Sequence, residues 1–374
     1  MQARVIVLAA ILVTGLAYSI FNDTQNVTAQ MNLKKNNVIE ESSDLCKDTG
    51  NYLTTFSCGR TASDGAKEFT LVVNEHYRIP ITEPTAGERP TEDNSVMFKA
   101  WTFNGSIPGP TMRVTEGDKV RITLVNDGES DHPHSLHLHS YHSGDMDGTM
   151  GESSAVAPND NFTYTFTAGP SGVFPYHCHM APITNHVNRG LYGVFIIDPK
   201  VPREPMPEMV MVMNGYDLNL DAERVTDFVI PTPQQANDMM SNDPTDLEQV
   251  ADLELGQERD NEIYTVNGRA FQYNNAPITV GVNDTYRIYL VNMLEFDPLN
   301  NFHVHGTVFK YFPAGTADTA PFVTDIVSLN QGDRGIMEMS FPQKGMFMFH
   351  AHVTEFTDLG WMGMFMVTDE KEKS

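Results

Sequence analysis

The chain has 374 residues, of which 40% are hydrophobic and 20% charged, an ordinary balance for a globular protein with room for two domains. Asp and Glu number 49 against 24 Lys and Arg, giving a net charge of −25, which argues against nucleic acid or an anionic membrane surface as a partner. The acidity favours a neutral or cationic substrate. Many short runs of Val, Ile, Phe and Thr between glycines and prolines predict β-structure.

The first segment is apolar. "MQARVIVLAAILVTGLAYSI" has one basic residue, Arg4, ahead of an apolar run that ends at about Tyr18, and "TAQ" at 28–30 resembles a cleavage region. We interpret residues 1–29 as a signal peptide, so we expect a secreted or extracytoplasmic protein. An uncleaved membrane anchor is the alternative, although the run is short for a membrane span.

A polar extension follows over residues 30–65. It contains Cys46 and Cys58, two of the three cysteines in the chain. Because an exported protein meets an oxidising environment, we predict a local disulfide between them. Cys178 is then an odd thiol, which in a secreted protein requires a function.

An internal repeat predicts two domains, residues 66–200 and 201–374. The segment "FNGSIPGPTMRVTEGDKVRITLVND" (103–127) is similar to "VNGRAFQYNNAPITVGVNDTYRIYLVNM" (266–293). Short alternating segments separated by Gly, Pro and Asn turns occur in both copies. This pattern predicts an all-β fold of two tandem Greek-key barrels or sandwiches, and the acidic stretch 231–262 is predicted to be a surface insertion.

Eight of the 13 histidines form four H-x-H pairs, two in each copy and at equivalent places. Residues two apart on a β-strand point to the same face, so each pair presents two imidazoles to one point. One such pair would be weak evidence, but four equivalent pairs predict a metal cluster shared by both domains. Eight imidazoles suit about three copper ions. The pairs are His137/His139, His177/His179, His303/His305 and His350/His352.

A second set of potential ligands faces the other way in the first domain. Cys178 lies between the histidines of one pair, and His134 lies three residues ahead of another, an odd spacing that turns it away from that pair. His186 follows a "MAPIT" turn that can bring it back to Cys178. Two histidines and a cysteine are the ligands of a blue-copper site, whose weak axial position here holds Leu191 in place of Met. We therefore expect a raised reduction potential.

The second copy keeps its H-x-H pairs and lacks this other set. The positions of His134, Cys178, His186 and Leu191 correspond to Asn300, Ala351, Phe356 and Trp361. The sequence thus predicts one electron-accepting copper in the first domain and one cluster that needs both domains.

The motifs "HSLHLH", "HCH…H…GL", "HVHG" and "HAH" resemble those of two-domain, laccase-like multicopper oxidases with type 1 copper in the N-terminal domain. The resemblance covers nearly everything after residue 66. It implies two cupredoxin domains and about four copper ions per chain. Type 1 copper would use His134, Cys178 and His186, with Leu191 axial and non-coordinating. The resemblance assigns type 2 copper to His137 and His303, and the type 3 pair to His139, His177, His179, His305, His350 and His352.

The same resemblance implies the reaction. Type 1 copper takes single electrons from a small reductant, such as a phenol, an aromatic amine, Cu(I) or a redox protein. The electrons pass through Cys178 and its neighbouring histidines to the cluster, where dioxygen is reduced to water. Asp147 resembles the acidic residue of the family that helps to deliver protons near type 2 copper. Asp325, in "TDIVSLNQGD", is a candidate for an acidic residue that supports the metal ligands. A homotrimer with clusters at subunit interfaces is also implied.

Copper-containing nitrite reductase is the main alternative. Six residues separate His179 from His186, a spacing closer to those enzymes than to three-domain laccases. However, nitrite reductases carry Asp at the position of His137 and lack the second histidine of "HCH", so the oxidase is favoured. A copper-storage or electron-transfer protein without turnover is a further hypothesis, which copper content and oxygen uptake would test. His76 and His132 are interpreted as surface histidines.

Overall fold

The structure is a computed structural model that describes residues 51–84, 88–91, 93–219, 260–316 and 320–369. The predicted signal peptide 1–29, Cys46 and all but the last residues of the predicted insertion 231–262 lie outside these ranges. Cys58 is disulfide-bonded, and Cys178 is a free, buried thiol. In the described part of the chain, no helix combines the length and the apolar character needed to cross a membrane.

Nine strands in the first half form two sheets. One sheet has the order β1-β2-β5-β7 with β3 paired to β2, and its strands are β1 (Arg60–Thr61), β2 (Lys67–Pro80), β3 (Met97–Phe103), β5 (Lys119–Asn126) and β7 (Asn161–Thr167). The other sheet has the order β4-β9-β8-β6, and its strands are β4 (Met112–Thr115), β6 (His137–Leu138), β8 (Gly172–His177) and β9 (Tyr192–Asp198). Alternating burial along β5 is the period expected of a strand with one face on a core.

The second half repeats this arrangement with eleven strands. One sheet has the order β11-β10-β13-β18-β15-β16, made of β10 (Glu208–Tyr216), β11 (Ile263–Val266), β13 (Tyr286–Asn292), β15 (Phe309–Pro313), β16 (Phe322–Thr324) and β18 (Arg334–Met339). The other has the order β12-β20-β19-β14-β17, made of β12 (Ile278–Gly281), β14 (Leu299–Val304), β17 (Ile326–Asn330), β19 (Gly345–His350) and β20 (Met362–Thr368). The predicted all-β fold is confirmed.

In the described ranges, helices are few and short. They are α1 (Ile183–Asn188), α2 (Gln272–Asn275) and α3 (Thr354–Asp358), with 3-10 turns at Tyr52–Thr54, Gly144–Met146 and Gly151–Ser154. Helix α1 connects β8 to β9, and α3 connects β19 to β20. The two helices therefore occupy equivalent places in the two copies.

The duplication is visible in the strand register. His137 lies opposite His177 where β6 pairs with β8, and His303 lies opposite His350 where β14 pairs with β19. Parallel pairs also recur, β2 with β5 in the first half and β10 with β13 in the second. The sheets thus bring the histidine pairs of each half together in the same way.

The two halves pack against each other within the unit Ser43–Ser374. Each half has its own core, and a third buried apolar cluster draws on both, including Val194 and Ile196 of β9 with Val210 and Val212 of β10. The junction therefore includes a buried apolar layer shared by the two halves, as expected when apolar strand faces are removed from water.

Candidate metal centres

One predicted set of ligands converges in the first half. Cys178 follows β8, His134 precedes β6, and His186 lies in α1. Cys178 Sγ is 3.7 Å from His134 Nδ1 and 3.2 Å from His186 Nδ1, and the two Nδ1 atoms are 3.2 Å apart. All three side chains are buried. Three donors at these separations fit around a single ion with bonds of about 2 Å.

The surroundings of this set suit a bound cation. Burial raises the pKa of the Cys178 thiol to about 11, and burial also lowers the pKa of His186 well below its ordinary value. A metal ion would reverse the first effect, because a coordinated thiol is deprotonated. The backbone amide of Ser135 donates to Cys178 Sγ at 3.4 Å, and buried Leu191 accepts from the Cys178 amide at 3.0 Å. The predicted parity of Cys178 against its neighbouring histidines agrees with this geometry.

Three residues around this set were not identified from the sequence. The Glu75 carboxylate accepts hydrogen bonds from His134 Nε2 at 2.7 Å and from His132 Nδ1 at 2.8 Å. The Trp101 ring lies against both His134 and His186. His132 is thus more than a surface histidine. No sequence signal marks Glu75, which lies 59 residues before His134 on a different strand.

A second group of histidines lies at the ends of strands β6 and β8. His137, His139 and His177 bring their ring nitrogens together, with His139 Nε2 3.1 Å from His177 Nε2. The ring of His179 is 5.2 Å from that of His137, measured between centroids. All four predicted histidines of the first half therefore lie close together.

The second half contains the matching group. His303, His305 and His350 converge, with His305 Nε2 3.1 Å from His350 Nε2, and the His352 ring is 5.4 Å from the His303 ring. None of the candidate metal-binding groups in the described ranges combines histidines from both halves. Each half of the chain therefore presents four histidines as a separate group.

Backbone carbonyls orient both groups. A carbonyl oxygen only accepts, so the Nδ1 atom that contacts it carries the hydrogen and leaves the Nε2 lone pair for a metal. Asp325 in the second half occupies the place that Asp147 has in the first. The carbonyls are those of Asp147 for His137 (2.8 Å), Asp325 for His303 (2.9 Å), Cys178 for His177 (2.9 Å) and Ala351 for His350 (2.6 Å).

Burial keeps two of these imidazoles neutral. Burial, followed by the neighbouring histidines, lowers the pKa of His139 to about 3. Burial lowers the pKa of His177 to about 4, against a smaller opposing effect of its hydrogen bond to the Cys178 carbonyl. Neutral imidazole is the form that binds metal ions, so both rings are ready for coordination near pH 7.

Asp147 lies beside the first group. Its Oδ1 atom is 3.3 Å from His137 Nδ1 and 3.4 Å from His142 Nε2. Burial would raise the pKa of Asp147, but a hydrogen bond from Thr149 and the nearby histidines lower it overall. The carboxylate is therefore anionic near neutral pH. The contact with His142 was not predicted from the sequence.

In the second half, the positions that correspond to His134, Cys178 and His186 hold no ligand set and are packed into the core. Ala351, Phe356 and Trp361 are buried in its core, and Asn300 is buried beside them. The Trp361 ring packs against Phe302 with centroids 5.8 Å apart. The second copy thus keeps the local backbone arrangement, but it has core side chains where the first copy has its ligands.

Comparisons with known proteins agree with this geometry. A family model described as Multicopper oxidase matches residues 85–202, and a second with the same description matches residues 242–371. A solved multicopper oxidase is 40% identical with a TM-score of 0.67, covering 85% of this chain and 95% of that chain. The copper nitrite reductase from Nitrosomonas europaea is 25% identical with a TM-score of 0.63, covering 81% of this chain and 94% of its own.

The curated relatives include another copper-containing nitrite reductase. The copper-containing nitrite reductase of Neisseria meningitidis serogroup B is 30% identical over 137 residues, which are 36% of this chain and 34% of that protein. The chain thus spans about a third of the length of this relative. These relatives indicate a copper oxidoreductase with a cupredoxin-like fold. Since the two family models together match more than half of the residues, the chain belongs to the multicopper oxidase family.

Proposed function

We propose that this protein is an oxidase that couples one-electron oxidation of a small reductant to the four-electron reduction of dioxygen to water. One observation carries the proposal. A buried His₂Cys set and a separate four-histidine group meet at the end of β8, where the cysteine of the first is flanked in sequence by two histidines of the second.

The ligand assignments follow the donor sets. A thiolate with two imidazoles suits type 1 copper, and clusters of neutral imidazoles suit type 2 and type 3 copper. Bound copper supplies one-electron chemistry at the first site and dioxygen reduction at the second. The type 1 ligands are His134, Cys178 and His186, with Leu191 axial and unbound. The type 2 ligands are His137 and His303, and the type 3 ligands are His139, His177, His179, His305, His350 and His352.

The chain itself connects the two kinds of site. His177 and His179 are bonded in sequence to Cys178, and the Cys178 carbonyl accepts a hydrogen bond from His177 Nδ1 at 2.9 Å. The type 1 cysteine and two cluster histidines therefore share a short, buried stretch of backbone. Such a connection holds the ligands of both sites in a fixed relation.

We assign Asp147 the role of proton carrier. Its side chain is partly exposed, and its carboxylate lies within 3.4 Å of His137 and His142. A carboxylate that contacts solvent on one side and a ligand histidine on the other can pass protons towards a reaction that consumes them.

A complete cluster requires a second copy of the chain. The two histidine groups are separate within one chain. Exposed apolar side chains lie close to both groups in sequence: Tyr141 and Met150 follow His139, and Val308 follows His305. We infer that domain 1 of one chain meets domain 2 of the next and that the ring closes as a homotrimer, a heterologous arrangement that completes every cluster.

We also propose an extracytoplasmic location. It is supported by the apolar N-terminal sequence of residues 1–29 and by the disulfide at Cys58, since disulfides persist in oxidising compartments.

Copper quantitation combined with an oxygen electrode tests the function. We expect about four copper ions per chain, oxygen uptake that depends on an added reductant, and no peroxide release. Protein loaded with zinc is the control, because zinc fills the sites without redox chemistry. The relatives named as nitrite reductases make nitrite the rival acceptor. One or two copper ions per chain together with nitrite-dependent nitric oxide formation would contradict the oxidase.

A further inference from the structure

The ligands of the proposed type 1 site are almost inaccessible. His134 and Cys178 are 0% exposed, and His186 is 2% exposed. A reductant in solution has to deliver an electron to this site without direct access to most of its surface. The residues around the ligands therefore decide where that reductant contacts the protein.

His132 provides a route from the surface to one ligand. Its side chain is 25% exposed, and its Nδ1 atom donates to Glu75 Oε2 at 2.8 Å. The other oxygen of the same carboxylate accepts from His134 Nε2 at 2.7 Å. His134 directs its Nδ1 atom to the metal site, so this Nε2 hydrogen bond leaves the Nδ1 lone pair free to bind a metal ion.

Trp101 provides a second route from the same residue. Its ring centroid is 4.9 Å from that of His132 and 4.8 Å from that of His186. Trp101 is itself buried. His132 thus reaches both ligand histidines, one through a carboxylate and the other through an indole ring.

Glu75 is fixed in place and anionic. The backbone amides of Asp131 and His132 donate to its two oxygens at 3.3 and 3.1 Å, in addition to the two ring nitrogens. Four hydrogen-bond donors hold this carboxylate in one orientation, whereas a surface ion pair usually has a single contact.

We propose that His132 is the residue at which a small cationic one-electron donor contacts the protein, with Glu75 and Trp101 as positioning residues that connect it to the type 1 ligands. The inference rests on the type 1 site proposed above. One electron leaves the donor and reduces one copper(II) ion to copper(I), and no bond to the protein forms or breaks.

Charge near His132 favours a cationic donor. Asp131 precedes it in the chain, and the Asp127 and Glu129 carboxylates both accept from the amide of Asn74, which precedes Glu75 on β2. Clustered carboxylates raise the local concentration of small cations and their rate of encounter.

The position of Glu75 also predicts how this residue affects the reduction potential of the proposed type 1 site. A carboxylate on the outer nitrogen of a ligand imidazole makes that imidazole a stronger donor, which stabilises copper(II) and lowers the potential. The axial Leu191 acts in the opposite direction, because it offers no donor. Removing the charge of Glu75 should therefore raise the potential.

The test is anaerobic stopped-flow reduction of the blue absorption band by hexaammineruthenium(II), with a redox titration of the same band. For His132→Leu we expect unchanged copper content and blue colour, and reduction about tenfold slower than in the unmodified protein. For Glu75→Gln we expect a higher potential and yet slower reduction. A higher potential alone would make reduction faster, because it increases the driving force. Slower reduction at a higher potential therefore indicates that Glu75 connects the donor to the site, and a role limited to setting the potential would not produce it.

Glu129→Gln is the matched control. It removes the same charge from a carboxylate that accepts from Asn74, the residue before Glu75, but Glu129 is exposed and has no hydrogen bond to His132 or His134. Its potential should stay unchanged, and any loss of rate should disappear at high salt, where exposed charges are screened.

Three results would overturn the inference or its premise. Reduction of His132→Leu at the unmodified rate would place the contact elsewhere, for example at the edge of His186. Faster reduction of Glu75→Gln would limit the carboxylate to setting the potential. A copper-loaded protein without a blue band would refute the type 1 site itself, a failure distinct from the other two. Should Glu75→Gln not retain copper, His132→Leu decides alone, because His132 is neither a ligand nor fully buried.

Discussion

Cys178 is the residue that makes the two copies of the domain chemically different. It and its counterpart Ala351 are both fully buried, and both follow a strand whose last residue is a cluster histidine. Their surroundings differ: two imidazole nitrogens lie within 3.7 Å of the Cys178 sulfur, whereas Ala351 packs among aromatic rings. The Cys178 sulfur, together with the imidazoles of His134 and His186, thus separates the proposed site of electron entry from a piece of core.

Cys178→Ser should remove the blue absorption band and leave copper at the histidine groups. A serine hydroxyl is a poor ligand for copper at neutral pH, so we expect copper content to fall by about one ion per chain and reductant-driven oxygen uptake to fall about a hundredfold. Absorption and EPR spectra with metal analysis measure this. Ala351→Ser, the same hydroxyl at the equivalent position, should keep the blue band. A blue band that survives Cys178→Ser would disprove the type 1 assignment.

At the scale of strands, one ion pair appears twice in different surroundings. Glu68 lies beside Arg121 where β2 runs parallel to β5, and Glu208 lies beside Arg287 where β10 runs parallel to β13. The first pair is partly exposed, whereas Glu208 and Arg287 are nearly buried. Glu208 also binds Arg113 of the first half. The pair that is partly exposed in the first copy is therefore buried in the second, where it belongs to the junction between the halves.

Glu208→Gln should destabilise the protein far more than Glu68→Gln. Removing the charge of Glu208 takes away the buried anion that Arg113 and Arg287 share and leaves them with the carboxylates of Asp198 and Glu338, respectively, which we expect to cost about 2 kcal/mol or more. Removing Glu68 loosens an exposed pair, worth about 1 kcal/mol or less. Urea unfolding of both variants measures the difference. Equal free energies of unfolding would mean that the junction does not depend on this carboxylate.

The same carboxylate predicts a pH dependence. Burial would raise the pKa of Glu208, but hydrogen bonds from Arg113 and Arg287 lower it below its ordinary value of 4.5. A lowered native pKa means that this stabilisation is present above the ordinary value and is lost as the pH falls through the native pKa. The stability gap between the unmodified protein and Glu208→Gln should therefore narrow in acid.

Strand periodicity explains which parts of the site could be predicted. Parity along extended segments separates His134 and Cys178 from the H-x-H pairs, and the structure has the same division. Glu75 and Trp101 could not be found in this way, because they lie on strands β2 and β3 with no motif and reach the site only through tertiary packing. The carbonyl that orients His137 likewise depends on a loop conformation that spacing does not encode.

At the scale of the whole molecule, the histidine groups pose a problem of assembly. Each is built by the sheets of one half, and no candidate metal-binding group in the described ranges combines them. A cluster completed between chains would make dioxygen chemistry a property of the oligomer, whereas electron entry at Cys178 would remain a property of each chain.

Subunit complementation distinguishes the two arrangements. His139→Ala and His305→Ala remove equivalent ligands from the first and second groups, and neither residue contacts the type 1 set. Each variant alone should be inactive in oxygen uptake. Co-expressed in equal amounts, they should regain about a quarter of the unmodified activity, because a ring then joins an intact first half to an intact second half at that fraction of interfaces.

The control is co-expression of the unmodified chain with the double variant. Clusters between chains predict about a quarter of full activity here as well, since both halves of each cluster are drawn at random. Clusters within one chain predict no activity for the two single variants together and about half for the control. The two arrangements therefore predict different ratios for the same pair of measurements: activity in the control alone would place the cluster inside one chain, and equal activity in both would place it between chains.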